Sequence, residues 1–298
     1  MTQRTSDLSG GAVTFELNYV LPAPPDRSAR PTKSVLLTLL LAILLLSNLA
    51  TQPANAASTG AASGDAAHLA PKTPRIMVAL VFGQSNAGNW GETRRTAGPH
   101  VLYFFRGRLG RAKDPLPGAN GEGGSVWTRL GDKLIAAKRY DQVIFVPASI
   151  GATEIARWAP GGLLHQDLLR NVRETQQAGY IFTHLLWVQG ESDNALNTSQ
   201  NDYYSRFLAM LAAIRGLGVN APAFVAVATR CGQYLPNAAI RQAQIDVRNP
   251  SLGIFAGPDL DTLDERWRNG GCHFSDKGLE RHAQMWLEIL LTKPGVSP

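Results

Sequence analysis

The sequence predicts an α/β domain: a three-layer α/β/α, flavodoxin-like fold on a five-stranded parallel sheet of order 2-1-3-4-5. Three observations lead there. Short Val- and Leu-rich runs alternate with longer amphipathic stretches, the pattern of a parallel sheet with right-handed crossovers covered on both faces. The run Val78-Ala79-Leu80-Val81-Phe82 ends on Gly83 and opens into a polar tip, Gln84-Ser85-Asn86, as a buried strand does at a ligand crevice. Later runs end in polar, glycine-bearing segments of the same kind.

In chain order, residues 1–33 are polar, broken by Pro22, Pro24, Pro25 and Pro31, and read as disordered. Val35 to Leu46 is a nearly unbroken apolar run, preceded by Arg27, Arg30 and Lys33 and followed by Ala54-Asn55-Ala56. A basic flank, a short apolar core and a small-residue site describe a signal peptide over 1–56 with a long n-region, cleaved after Ala56. The alternative is an uncleaved N-terminal anchor, the one way this chain would meet a membrane; the run is short for a spanning helix. Either way the domain is expected outside the cytoplasm, periplasmic or extracellular in the first case and membrane-anchored in the second. Residues 57–73, dominated by Ala, Ser, Thr and Gly, form a flexible linker. The folded domain is expected over 74–298.

Within it, strands are expected at Ile76–Phe82, Gln142–Pro147, His184–Gln189, Ala223–Ala228 and Leu252–Ala256, with Val101–Phe105 as a side strand. Helical periodicity covers Trp127–Arg139, Ser199–Gly216, Pro236–Arg248 and Asp276–Thr292. The apolar stripes of these helices, such as Phe207, Met210, Leu211 and Ile214, are core-packing faces.

The net charge of +6 divides into +1 over residues 1–56 and about +5 over the rest. No dense basic run lies outside the N-terminal flank, and no zinc-type Cys/His cluster or aromatic RNA-binding motif occurs, so nucleic acid is excluded as a partner. Cys231 and Cys272 are the two cysteines. In an exported protein such a pair reads as a disulfide, and here it would pin the loop carrying His273.

Four strand ends and loops carry candidate chemistry: Ser85, then Gly151, then Gln189-Gly190-Glu191-Ser192-Asp193, then Cys272-His273-Phe274. In a sheet of order 2-1-3-4-5, strand one lies between strands two and three. Ser85 is then flanked by Gly151 on one side and by Gln189 and Glu191 on the other, and the His273 loop can fold back across the same edge. That set supplies a nucleophile, a general base, an acid and oxyanion donors. A solvated surface loop is the plain alternative for the 189–193 segment, and a structural histidine for His273.

Together, Gly83-Gln84-Ser85-Asn86, Gly151-Ala152-Thr153 with Trp158, Gln189-Gly190-Glu191-Ser192-Asp193 and Cys272-His273-Phe274 resemble the SGNH hydrolase superfamily. The similarity is to its sialate O-acetylesterase-like branch, which includes the acetylxylan esterases of carbohydrate esterase family six, and it spans roughly 75–290. The resemblance implies a three-layer α/β/α fold and hydrolysis of O-acetyl esters on polysaccharide or sialic-acid-like substrates without a cofactor or metal. It implies Ser85 as nucleophile, His273 as general base, and an oxyanion hole of the Ser85 and Gly151 backbone N–H groups with the Gln189 side chain.

Two positions depart from the family pattern. Many SGNH enzymes place the acid three residues before the histidine, where this chain has Gly270. Glu191 is therefore the expected acid and Asp264 the alternative; if neither reaches His273, a Ser-His dyad remains. Ala152 stands where relatives often carry a second glycine. Arg157, Trp158 and Trp90 are candidate walls of a sugar cleft. Two other readings stand beside the esterase: a polysaccharide O-acetyltransferase, and a non-catalytic glycan-binding relative.

Overall fold

The computed structural model describes residues 73–292. The signal peptide expected over 1–56, and all but the last residue of the linker expected over 57–73, lie outside the described residues.

The centre of the sheet is β1 (Ile76–Gly83), buried at every position after Ile76. Its side chains alternate between two cores. Met77, Ala79 and Val81 face one, and Val78, Leu80 and Phe82 face the other, as the two-residue period of a strand requires. Parallel neighbours flank it: β4 (Gln142–Ser149) on one side and β5 (His184–Val188) on the other. Beyond β5 come β6 (Ala223–Val227) and β7 (Ile254–Asp259), both parallel.

Beyond β4 lies β2 (Val101–Phe105), also parallel, and then β3 (Arg108–Arg111), antiparallel to β2. The sheet therefore has seven strands, not five, in the order β3-β2-β4-β1-β5-β6-β7: the five expected strands keep their relative order as β4-β1-β5-β6-β7, and β2 and β3 extend the sheet beyond β4. The side strand at Val101–Phe105 is a full member, and the edge strand after it carries no sequence signal. Its four residues, Arg-Leu-Gly-Arg, are exposed or half-buried, so no apolar face had to be written into them. Arg106 and Gly107 join the two strands with φ of 47° and 73°, the paired positive values of a two-residue hairpin turn.

Helices cover both faces. Against one core pack α1 (Val126–Ala136) and α7 (Asp276–Thr292), with Trp127 and Trp286 fully buried between them and the sheet. Against the other pack α2 (Ile155–Trp158), α3 (His165–Gln177), α5 (Gln200–Arg215) and α6 (Ala238–Asp246). Ser199 caps α5 by accepting from Asp202 N–H, and Asn237 caps α6 by accepting from Ile240 N–H. The sequence reading contains no α3: among its thirteen residues only Leu168, Leu169 and Val172 are apolar, too few to show a stripe. The 189–193 segment is not a solvated loop. It begins α4 (Glu191–Ala195), with Glu191, Asp193 and Asn194 buried. A two-stranded ribbon, β8 (Arg268–Asn269) and β9 (His273–Phe274), precedes α7.

Candidate active site

Ser85 is the first residue of a one-turn 3-10 helix, Ser85–Ala87, directly beyond β1. Gly83 makes that exit possible. Its φ is +133°, and a Cβ there would sit 2.0 Å from the carbonyl oxygen of Val188, so only glycine lets β1 and β5 stay paired while the chain turns. Gln84 then locks the turn from below. Its N–H donates to Val188 O at 3.0 Å, and its Oε1 accepts from Gln189 Nε2, Gly190 N and Ser192 N at 3.2, 3.3 and 3.1 Å. Ser85 itself is 5 % exposed, and neither its hydroxyl nor its backbone N–H has a partner among the described residues.

His273 lies in β9, and this ribbon packs against the Ser85–Ala87 turn. Several ties hold it there. Phe274 O accepts from Glu92 N at 3.0 Å, which joins the ribbon to the chain just beyond the Ser85–Ala87 turn. Arg268 donates from Nη1 to Cys272 O at 2.6 Å. Cys231 and Cys272 form the expected disulfide, and beside it Gly232 N donates to Gly271 O at 3.0 Å. The imidazole stacks on Trp90, with ring centroids 5.2 Å apart and planes inclined by 29°. Burial, and secondarily the Arg268 charge, lower the His273 pKa below the ordinary histidine value, so the ring is neutral at pH 7 and free to accept a proton.

The expected acids do not meet His273. Glu191 is buried and accepts a hydrogen bond of 2.6 Å from Asn86 Nδ2 through Oε1. Its other oxygen, Oε2, has no hydrogen-bond partner among the described residues. Burial raises its pKa to about 7, against the Asn86 bond that lowers it. Asp264 accepts from the backbone N–H and the guanidinium of Arg266, which holds its carboxyl below the usual range. Among the described residues no carboxylate is hydrogen-bonded to His273. Gly270 stands where the family's acid would be, and neither substitute reaches across.

The oxyanion set also differs from expectation. Gln189 is fully buried, and its amide nitrogen faces Thr153 O at 2.9 Å, Asp193 Oδ2 and Gln84 Oε1. Three acceptors take up its two N–H groups, so it ties strand ends together and offers nothing to a substrate. Gly151 N–H is also engaged, donating to Asn120 Oδ1 at 2.8 Å. Ser85 N–H remains open. Asn120 went unmarked in the sequence, although its setting is unusual: four of the seven residues 118–124 are glycine. That run lets two backbones touch. At Gly121, with φ of +95°, a Cβ would lie 2.4 Å from Asn89 O.

Of the candidate wall residues, Trp90 is 40 % exposed beside His273. Trp158 is buried and donates to Thr153 Oγ1 at 3.0 Å, a packing role. Arg157 pairs with Glu154 at 3.2 Å. A cavity of about 140 Å³ opens between β2, β4 and α3, lined by Phe105, Ile150, Leu168 and Asn171; neither Ser85 nor His273 borders it. No group of three His, Cys, Asp or Glu side chains able to hold a metal ion occurs among the described residues.

A family model described as carbohydrate esterase, sialic acid-specific acetylesterase, matches residues 75–292. Among solved structures, a protein from Arabidopsis thaliana is 17% identical with a TM-score of 0.61, over 74% of this chain and 99% of its own. NanS is also 17% identical, with a TM-score of 0.57, over 74% of this chain and 98% of its own. At that identity the likeness is one of fold. A comparison with curated proteins finds no match.

Proposed function

The chain belongs to the carbohydrate esterase family of sialic acid-specific acetylesterases, and we propose that it is an exported serine esterase whose catalytic pair is Ser85 and His273. Family membership makes it a carboxylic ester hydrolase acting on O-acetylated carbohydrate. The assignment of roles is ours. One observation carries it: the ribbon bearing His273 is fastened over the turn that presents Ser85 at the carboxyl edge of the central strand.

The chemistry follows from that placement. Neutral His273 takes the proton of Ser85 Oγ as the oxygen bonds to the acetyl carbon. The tetrahedral intermediate collapses as the bond to the sugar oxygen breaks, and that oxygen leaves with the proton from His273. Water, deprotonated by the same imidazole, then attacks the acetyl-serine, releasing acetate and restoring the hydroxyl. With no acid hydrogen-bonded to the imidazole, the pair works as a dyad, its ring oriented by the Trp90 stack and the pinned ribbon. Glu191 supports the turn through Asn86 and is not the orienting acid.

The basic flank and apolar run before Ala56, together with a disulfide at the site, support export. The test of function is acetate release from acetylated xylan, an acetylated sialic acid and p-nitrophenyl acetate by residues 57–298. Ser85→Ala should lower turnover on the order of 10⁴-fold or more. Release that persists in that variant would remove Ser85 from the chemistry.

A further inference from the structure

Asn120 holds an unclaimed donor at the mouth of the site. Its Oδ1 accepts two hydrogen bonds, from Gly151 N–H at 2.8 Å and from the Trp90 indole N–H at 3.1 Å. Two donors on one side settle the orientation of the amide: oxygen toward them, NH₂ away. Those N–H groups have no partner among the described residues.

The position of this amide is fixed from both sides. Asn120 N donates to Ser149 O, and its carbonyl accepts from Asn89 N, each at 2.9 Å. Gly88, whose N–H donates to Ser85 O at 2.8 Å, runs so close that a Cβ on it would stand 3.0 Å from Asn120 O. The nucleophile turn and Asn120 are thus packed backbone to backbone. On the other side, the Trp90 ring that donates to Asn120 is the ring stacked on His273. Asn120 is therefore tied to the Ser85 turn through its backbone and to the ring on His273 through its side chain, in a site where Gln189 and Gly151 have no N–H to give.

We propose that the Asn120 side-chain N–H and the Ser85 backbone N–H together form the oxyanion hole. When Ser85 Oγ bonds to the acetyl carbon, the carbonyl π pair moves onto oxygen, and these two donors hydrogen-bond the resulting negative charge without transferring a proton. A preorganised donor aimed at charge that exists only in the transition state raises kcat more than it lowers KM. The inference rests on the esterase reading and specifies how it works.

Asn120→Asp is the decisive variant. It keeps Oδ1 as acceptor for Gly151 and Trp90 and replaces only the NH₂ group by oxygen. The expected result is a fall in kcat on the order of 10²–10³, with KM and the urea midpoint near wild type. Asn120→Ala, assayed on its folded fraction, should lose kcat to a similar degree, which covers the case of an Asp variant that does not fold. Retention of kcat within tenfold in either folded variant would overturn the inference, and so would a rise in KM at unchanged kcat, the mark of a ground-state sugar contact. Failure of the parent reading looks different: folded wild-type protein would then release no acetate from any ester.

Discussion

Asn86 donates a 2.6 Å hydrogen bond to Glu191 in a space closed to solvent, joining the residue after Ser85 to the first residue of α4. The carboxylate that receives it keeps one oxygen buried and unpartnered. A group so placed favours the proton, and this gives the pair a readable signature.

Glu191 should make stability fall as pH rises. Burial raises its pKa from an ordinary 4.5 to about 7, so between those values the folded chain holds a proton that the unfolded chain has released. By linkage, the stabilisation is fully present below about 4.5 and lost as pH passes through about 7. The shift corresponds to about 3 kcal/mol. Urea unfolding at pH 5 and pH 8 should show a steeper loss in wild type than in Glu191→Gln, which cannot titrate. Equal slopes would place the proton elsewhere.

Gln189→Ala should unfold the protein more readily before it harms chemistry. The truncation leaves Thr153 O without its donor and weakens Asp193 and Gln84, all in buried surroundings. A cost of roughly 2–4 kcal/mol is expected from the lost network. It would be read as a lower urea midpoint with kcat of the folded fraction within tenfold of wild type. A loss of 10²–10³ in kcat at an unchanged midpoint would instead restore Gln189 to the oxyanion hole.

The acid limb of the pH–rate profile should lie below the ordinary histidine value of about 6.5, because burial and then Arg268 disfavour the charged imidazole. The proposed mechanism requires neutral His273, so kcat/KM should hold level through pH 7 and fall only as pH drops through the lowered pKa. A limb above 6.5 would show that the imidazole is stabilised as a cation by a carboxylate after all.

Removing the disulfide should loosen the base. Cys231 and Cys272 are separated by 41 positions, and bridges closing loops of that size typically contribute 2–4 kcal/mol. The Cys231→Ser/Cys272→Ser variant should melt several degrees lower and lose activity before global unfolding, since the ribbon keeps only its hydrogen bonds and the Trp90 stack. Coincident loss of activity and of ellipticity would deny the bridge a local role.

The strands bearing apolar runs could be read in the sequence because burial on two faces must be spelled in Val, Leu and Ile. So could the chain's delivery of Ser85, His273 and the cysteine pair to one region. What escaped lacks that constraint. The edge strand Arg108–Arg111 is exposed or half-buried throughout, and α3 buries polar His165, Asn171 and Thr175 beside only three apolar residues, so no apolar stripe marks it. Within the site, residue types could be read and partnerships could not. Gln189 and Glu191 fit an oxyanion donor and a triad acid by position, yet both are turned inward, to Thr153 and Asp193 and to Asn86. Asn120 was hidden for the opposite reason: it belongs to an irregular glycine-rich loop, where neither periodicity nor motif spacing speaks.

The placement of the pair along the chain bears on when the protein becomes chemically competent. Ser85 follows the first strand among the described residues, but that strand is central, and its neighbours β4 and β5 come later in the chain. His273 arrives just ahead of the last helix, and its ribbon is secured to a cysteine that also comes late. A chain that ends before the ribbon therefore carries the proposed nucleophile without the proposed base. On the proposed mechanism, hydrolysis waits for the C-terminal part of the domain to fold, and the bridge then steadies the base that it brings.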